Sequence, residues 1–390
     1  MIPNRMMHSD NHIPRPTTHP TPIMIQRIEV SDTTRHAMRI RGLVSAFGAV
    51  GLFCSFLSLS NAQEAIRMVS SQAKWSIAIH GGAGGDPSKL TPEITKAKMD
   101  GLRAALMKGK ELLQKGTTAI DVVQAVVEVL EDDPNFNAGR GGVFNSIGQV
   151  SMDASMMDGR DLSCGAVANV TEVRNPIRLA RAVRDKTPHV LLTGSAADAF
   201  AKEVGIPLEP PEYFKTPEQQ ENWEKWKARQ AKKGNSTSRN DYEQAEDRLF
   251  YLSTVGCVVR DTSGNLAAAT STGGLLGKKY GRVGDSPIIG AGTYAKNKTC
   301  AVSCTGEGEL FIKHHVSSAI STRMELLGES LAVAAKHEIE KTLPVDSGGI
   351  IAVDLHGNIE LQFNTPMMAR GRASSDGLFQ IGLVELQDLK

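Results

Sequence analysis

The sequence predicts a layered α+β domain, with hairpin-rich sheets covered by helices that come in separate blocks of the chain. Three observations lead there. Residues 255–272 and 349–365 repeat one pattern of strand, Asp-x-x-Gly-Asn turn and strand, with the turns at Asp261 to Asn265 and Asp354 to Asn358, and each reads as a β-hairpin. Helical spacing of apolar residues is confined to blocks near 91–130, 175–204 and 316–340. Strands and helices therefore do not alternate one for one, as a doubly wound parallel sheet would require.

The chain has 390 residues, long enough for a large core. Its first 37 residues are rich in Pro, His, Thr and Met, carry no structural period, and read as a disordered or non-native upstream extension. From Met38 the pattern is that of an export signal over 38–62. Arg39 and Arg41 give a positive start, 43–59 is apolar, and Ser60-Asn61-Ala62 is a small-x-small end before Gln63. A stable membrane anchor would need a somewhat longer apolar run. The expectation is an exported protein, in a bacterial periplasm, with its mature part starting near Gln63. Cys54 leaves with the signal, and Cys164, Cys257, Cys300 and Cys304 remain. Export permits disulfides. Cys257 and Cys304 lie in apolar runs where a thiol acts as a small hydrophobe, and no spacing matches a zinc site.

In the mature part, Trp75 to His80 reads as a buried first strand running into Gly81-Gly82-Ala83-Gly84-Gly85, a tight turn rather than a nucleotide-binding loop. No G-x-S-x-G elbow accompanies it. Thr91-Pro92 caps a helix that ends near Lys115, with Gly116 after it. Thr118-x-x-Asp121 resembles a capping box, and Ala119, Ile120, Val122, Val123, Val126, Val127 and Leu130 give the next helix its buried stripe. Residues 131–140, Glu-Asp-Asp-Pro-Asn-Phe-Asn-Ala-Gly-Arg, are either a solvated acidic turn or a carbonyl-rich loop able to wrap a hard cation. Short strands over 143–168, a helix from Asn175-Pro176 to about Arg184, a strand at 189–192 and a helix over 195–204 follow. From about 205 to 253 the chain turns polar, broken by Trp223 and Trp226, and reads as a mobile linker with marginal helix. After the first hairpin come a strand at 301–304, one or two helices over 316–340 with a break at Gly328, the second hairpin, and an edge strand at 381–384.

With 44 Lys+Arg against 43 Asp+Glu, no basic stripe and few aromatics, the chain offers nothing to nucleic acid. The chemistry concentrates in 253–309: Ser253-Thr254-Val255-Gly256, Thr270-Ser271-Thr272-Gly273-Gly274, Gly281-Arg282-Val283-Gly284-Asp285 and Thr305-Gly306-Glu307-Gly308-Glu309. Three threonines beside glycines, one arginine and one aspartate can form a hydroxyl nucleophile, an oxyanion hole and a clamp for a zwitterion, without metal or large cofactor. Taken singly, a strand threonine is ordinarily only a strand residue, and Arg282 and Asp285 would be a surface ion pair of little weight.

Together these motifs resemble the isoaspartyl peptidase/L-asparaginase family, the plant-type asparaginases among the N-terminal-nucleophile hydrolases. Ala78-Ile79-His80-Gly81-Gly82-Ala83-Gly84 and Phe136-Asn137-Ala138-Gly139 match the family's first half, and the resemblance spans roughly 74 to 390. It implies a four-layer αββα sandwich, cut by its own chemistry between Ser253 and Thr254 into an α subunit of about 63–253 and a β subunit of 254–390. Two such pairs would associate as a dimer of heterodimers. Ser253 departs from the glycine or aspartate usual before the cut. The resemblance makes Thr254 the nucleophile, with its freed α-amine as base, Thr272 its support, and Thr305 and Gly306 the oxyanion hole. Asn137 would orient the cleavage site. Arg282 would take the substrate α-carboxylate and Asp285 its α-ammonium, with Val283, Gly284, Glu307 and Gly308 lining the same clamp. Leu130, Glu131, Asp133, Phe136, Ala138 and Arg140 would form a structural sodium loop, the only cofactor expected. The implied activity is hydrolysis of β-aspartyl dipeptides and L-asparagine. A glycosylasparaginase, sharing several motifs, and an exported binding protein without activity are the alternatives.

Overall fold

The computed structural model describes residues 73–233 and 253–389. The expected extension, 1–37, the signal, 38–62, and part of the expected linker, 234–252, lie outside the described residues. Among the described residues no helix is long and apolar enough to cross a membrane.

Thirteen strands are described, in two sheets, almost all antiparallel as hairpin-rich connectivity requires. The larger sheet runs β13-β12-β11-β1-β5-β6-β2-β3-β4 and the smaller β10-β9-β8-β7. In the larger, β1 (Ser76–Ala83) is buried along its whole length because it lies between β11 (Met368–Ser374) and β5 (Val255–Arg260). β5 pairs in turn with β6 (Leu266–Thr272), and β6 with β2 (Met152–Asp158). β3 (Cys164–Val170) then takes β4 (Leu191–Thr193) in parallel, and β12 (Phe379–Gly382) and β13 (Leu386–Asp388) complete the other end. The smaller sheet contains β7 (Thr293–Ala295), β8 (Cys300–Gly306), β9 (Gly348–Asp354) and β10 (Ile359–Phe363).

Both predicted hairpins form, β5 with β6 and β9 with β10. Their turns share one device. Asp261 Oδ1 accepts from the amides of Ser263 and Asn265, and Asp354 Oδ1 from those of His356 and Asn358, at 2.8–2.9 Å. Such an Asx turn reverses the chain within few residues.

The strand period of two sorts side chains between layers. Ile77, Ile79, Val255, Cys257, Val259, Ala267 and Ala269 pack with helical residues such as Leu102, Leu106, Val123 and Val127. The alternate residues Ala78, Val258, Leu266 and Ala268 meet Ala301, Ile351 and Val353 of the smaller sheet. On that sheet's other face Val302, Cys304, Ile350 and Ala352 pack against Phe311, Val316, Ile320 and Leu331. Each fully buried branched side chain contributes about 1.5–3 kcal/mol. The covering helices are α1 (Pro92–Gln114), α2 (Ala119–Asp132), α3 (Pro176–Lys186) and α4 (Gly194–Glu203) on one side. On the other are α6 (Gly308–His314), α7 (Val316–Leu327) and α8 (Leu331–His337), with Gly328 breaking the last two as expected.

Four expectations change. The glycine run after His80 is not a turn at once: β1 continues to Ala83 through an irregularity between His80 and Gly82. Thr118 does not cap α2 by its side chain; its hydroxyl bonds the Asp121 carboxylate instead. The sheet edge is β13 rather than 381–384, since Ile381 pairs with Gln387. The polar stretch holds a 17-residue helix, α5 (Pro217–Lys233). It is anchored because Trp223 donates from Nε1 to the Asn145 carbonyl at 3.1 Å and meets Phe144 edge-on, while Trp226 seats against Gly277.

Candidate active site

The site lies where β5 begins, at the end of β6 and along the loop that follows. Thr254, 6 % exposed, donates from Oγ1 to Thr272 Oγ1 at 3.1 Å. Thr272 Oγ1 also accepts the Gly274 amide at 2.9 Å and donates to the Ser253 carbonyl at 3.4 Å. That carbonyl takes a shorter bond, 2.8 Å, from Asn137 Nδ2. Asn137 is fixed from three sides: its amide nitrogen also reaches the Gly274 carbonyl, its Oδ1 accepts from Val143, and its carbonyl from Gly273. The Ser253 hydroxyl donates to the Gly81 carbonyl at 3.0 Å. The peptide bond between Ser253 and Thr254 is thus held at its carbonyl oxygen by two donors, beside a threonine hydroxyl.

Thr305, fully buried on β8, accepts the Ala83 amide through Oγ1 at 3.2 Å, leaving its own proton to donate. Gly306 follows it into the pocket wall. Thr254, Thr272, Gly306, Arg282, Gly284 and Asp285 line one pocket together with Ser253. With Ser253 in place that pocket has about 10 Å³ of room, no more than one water needs.

Arg282 does not pair with Asp285. Its Nε and Nη2 bond the two carboxylate oxygens of Glu309 at 2.9 and 2.8 Å, which leaves the Nη1/Nη2 edge for a ligand. Burial, the largest single influence, raises the Glu309 carboxyl, but the Arg282 guanidinium together with Glu309's own backbone amide and Lys313 outweighs it, and the net shift is downward. Asp285 is buried, and burial lifts its carboxyl to about 7 against the downward pull of Arg282. Its Oδ2 has no hydrogen-bond partner among the described residues. Gly308 is glycine because a Cβ there would stand 2.9 Å from Arg282 Nη2 and from Asp285 Oδ1. It makes room for the clamp itself. Val283 and Glu307 are half-buried near this cluster but do not line the pocket.

The 130–140 loop packs behind the site. Glu131 turns inward, its Oε1 accepting from Ser271 Oγ at 2.6 Å and from the Ile177 amide at 3.0 Å, and burial raises it to about 8. Asp133 Oδ1 holds Asn135, and Arg140 lies over the Tyr213 ring. Leu130, Phe136 and Ala138 are buried apolar residues whose side chains offer no ligand. Among the described residues no cluster of His, Cys, Asp and Glu could hold a metal ion, so a cation here would rest on carbonyls.

Two residues that the motif reading did not place in the site belong to it. Glu309 stood only at the end of a quoted motif, and nothing in a linear sequence ties it to Arg282 27 positions earlier. His80 bonds the Thr254 carbonyl through Nδ1 at 2.8 Å. Burial lowers its imidazole to about 4, against an upward pull from that carbonyl, so the ring is neutral and Nδ1 carries the proton it donates. A histidine inside an otherwise apolar strand was its one signal.

A sequence profile of the asparaginase family matches residues 73–383. The chain is 42% identical over 330 residues to a probable isoaspartyl peptidase/L-asparaginase 2 of Arabidopsis thaliana, covering 80% of this chain and 99% of that protein. It is 42% identical over 297 residues to an isoaspartyl peptidase of Escherichia coli, 75% and 91% covered. An isoaspartyl peptidase/L-asparaginase of Mus musculus is 39% identical over 309 residues, 79% and 90% covered.

Proposed function

The chain belongs to the asparaginase family and is a hydrolase, and from that premise we propose that it hydrolyses β-aspartyl dipeptides and L-asparagine through a covalent intermediate on Thr254. The observation that carries this reading is the Ser253 carbonyl held by Asn137 and Thr272 beside the Thr254 hydroxyl. Thr254 Oγ attacks the Ser253 carbonyl carbon while Asn137 and Thr272 stabilise the oxyanion. The C–N bond breaks as nitrogen takes the proton, leaving an ester. Water hydrolyses the ester to a Ser253 carboxylate and a free Thr254 α-amine. An α-amine titrates near about 7.7–8.0, so at neutral pH part of it is free to accept the hydroxyl proton in the second reaction.

In that reaction Thr254 Oγ attacks the side-chain carbonyl of the substrate. Thr305 Oγ1 and the Gly306 amide face the new oxyanion, each such donor contributing about 2.7–4 kcal/mol. Arg282, held by Glu309, presents its free edge to the α-carboxylate, and Asp285 meets the α-ammonium. Ammonia or the α-amine of a peptide leaves with the proton, and water releases aspartate. Departure of the Ser253 end opens the pocket that it fills. We read the order of helices, sheet, sheet and helices as the family's αββα sandwich, and the carbonyls of 130–140 as a sodium site at the negative end of α2.

Intact mass of the purified protein, beside Thr254→Ala, tests the reading. Two fragments are expected from the parent, the smaller beginning at Thr254 and the larger reporting the mature N-terminus, with one inactive uncut chain from the variant. Activity in Thr254→Ala would sink it. Assay on an isoaspartyl dipeptide and on N-acetylglucosaminyl-asparagine separates it from a glycosylasparaginase.

A further inference from the structure

A file of polar side chains crosses the apolar space between the two sheets. His80 on β1 bonds Ser303 on β8, Nε2 to Oγ at 2.8 Å. Ser303 bonds Thr270 on β6 at 2.7 Å, Thr270 bonds Thr293 on β7 at 2.6 Å, and Thr293 bonds Ser155 on β2 at 2.8 Å. Ser155 also donates to the Ser286 carbonyl at 2.6 Å, next to Asp285. All five side chains belong to fully buried residues, in a layer otherwise made of apolar side chains such as Ala301, Val258, Leu266 and Ile351. The file passes from one sheet to the other at every step.

One set of proton positions satisfies it. Ser155 shares its single proton between Ser286 O and Thr293 Oγ1, Thr293 donates to Thr270, Thr270 to Ser303, and Ser303 to His80 Nε2. With Nε2 accepting, Nδ1 holds the ring proton and donates to the Thr254 carbonyl. Space for this was left in β5. Gly256 is the residue opposite His80 in the ladder, and a Cβ there would stand 2.4 Å from His80 Nε2 and 2.0 Å from Ser303 Oγ.

The position it holds is the one that cleavage would leave loose. Pairing of β5 begins at Val255 with β6 and at Gly256 with β1, so Thr254 lies one step outside the ladder. Once Ser253 is detached, Thr254 is a chain terminus, and rotation about its own backbone would carry both its amine and its hydroxyl out of place. We propose that His80 is a positioning residue for the mature enzyme: through the Ser303–Thr270–Thr293 file it pins the Thr254 carbonyl and so keeps the cut N-terminus aligned for attack. This rests on Thr254 being the nucleophile.

The expected division of labour is specific. Before the cut Thr254 is tethered on both sides, so His80→Ala should still yield two fragments. The cut His80→Ala enzyme should lose about 10- to 100-fold in kcat, the scale of an ångström's misplacement, with KM within about threefold because Arg282, Glu309 and Asp285 are untouched. His80→Asn, whose amide can donate in place of Nδ1, should recover part of kcat, and His80→Leu none. Ser303→Ala, which frees Nε2 and with it the tautomer, should lower kcat less than His80→Ala. Nitrogen-15 shifts of the His80 ring should report the Nδ1–H tautomer in the parent and a mixture in Ser303→Ala. Unchanged kcat in cut His80→Ala would overturn the proposal, as would equal kcat for the Asn and Leu variants. If His80→Ala does not fold, the Asn-against-Leu comparison and the Ser303→Ala ring shifts decide it. Activity surviving in Thr254→Ala would instead sink the nucleophile on which the proposal stands.

Discussion

At the scale of single residues, Arg282 shows how a charge is shaped before any ligand arrives. Glu309 takes the side of the guanidinium and leaves the end, so the carboxylate of the proposed substrate would meet an edge already oriented. Arg282→Lys keeps the charge but replaces a planar fork with a point. It should raise KM for an isoaspartyl dipeptide by about 10- to 100-fold, equivalent to losing one charge-assisted bond of about 1.5–3 kcal/mol, with a smaller change in kcat. Steady-state kinetics check this, and a KM equal to the parent's would remove Arg282 from the clamp. Glu309→Gln should move KM the same way by less. The residues that motifs name were legible because each stands beside glycines or in a fixed local spacing. Glu309, His80 and Ser303 were not, because their contacts join segments that only the fold brings together.

At the scale of elements, what repeats locally was readable. Asp261 and Asp354 announce their hairpins through the same two amide bonds, and Thr91, Pro92 and Gly116 bound α1 as their backbone preferences dictate. Elements stabilised from outside were not. β11 reads Met-Ala-Arg-Gly-Arg-Ala-Ser, with no apolar alternation, yet sits beside β1 because Arg370 spends its donors on the carbonyls of Met368, Leu383 and Val384. α5 has a polar composition, and two tryptophans dock it. The 130–140 loop lies between these cases: its carbonyls are visible in the sequence only as a turn. If sodium holds it, exchange of sodium for choline at constant ionic strength should lower the melting temperature by several degrees, the shift that about 1–2 kcal/mol produces in a domain of this size. Identical melting in both salts would remove the cation.

At the scale of the whole molecule, buried groups set opposing pH dependences, and His80 and Asp285 form one such pair. His80 falls from 6.5 to about 4, so between those values the unfolded chain binds a proton that the folded chain refuses, and stability rises with pH. Asp285 rises from 3.8 to about 7, so over that window the folded chain keeps a proton that the unfolded chain releases, and stability falls. The two nearly cancel between pH 4 and 6.5. Glu131, raised from 4.5 to about 8, adds a fall in stability over its own window that parent and variants share. In an uncut Thr254→Ala background, adding Asp285→Asn should therefore gain up to about 3 kcal/mol across that range relative to its parent, and adding His80→Asn should tilt the difference the other way. Urea unfolding at several pH values measures both, and parallel curves would refute the assignment.

The order of strands in the larger sheet has a consequence for the history of each molecule. β1 to β4 lie before residue 253 and all later strands after it, yet β1 stands between β11 and β5, and β2 stands beside β6. A cut at 253 therefore leaves two chains threaded through one sheet at three seams. Folding of the uncut chain is a unimolecular search. Reassembly after denaturation would be bimolecular, slowed by dilution and open to aggregation of either half. The mature protein would then hold a structure that it could reach easily only once, as a single chain.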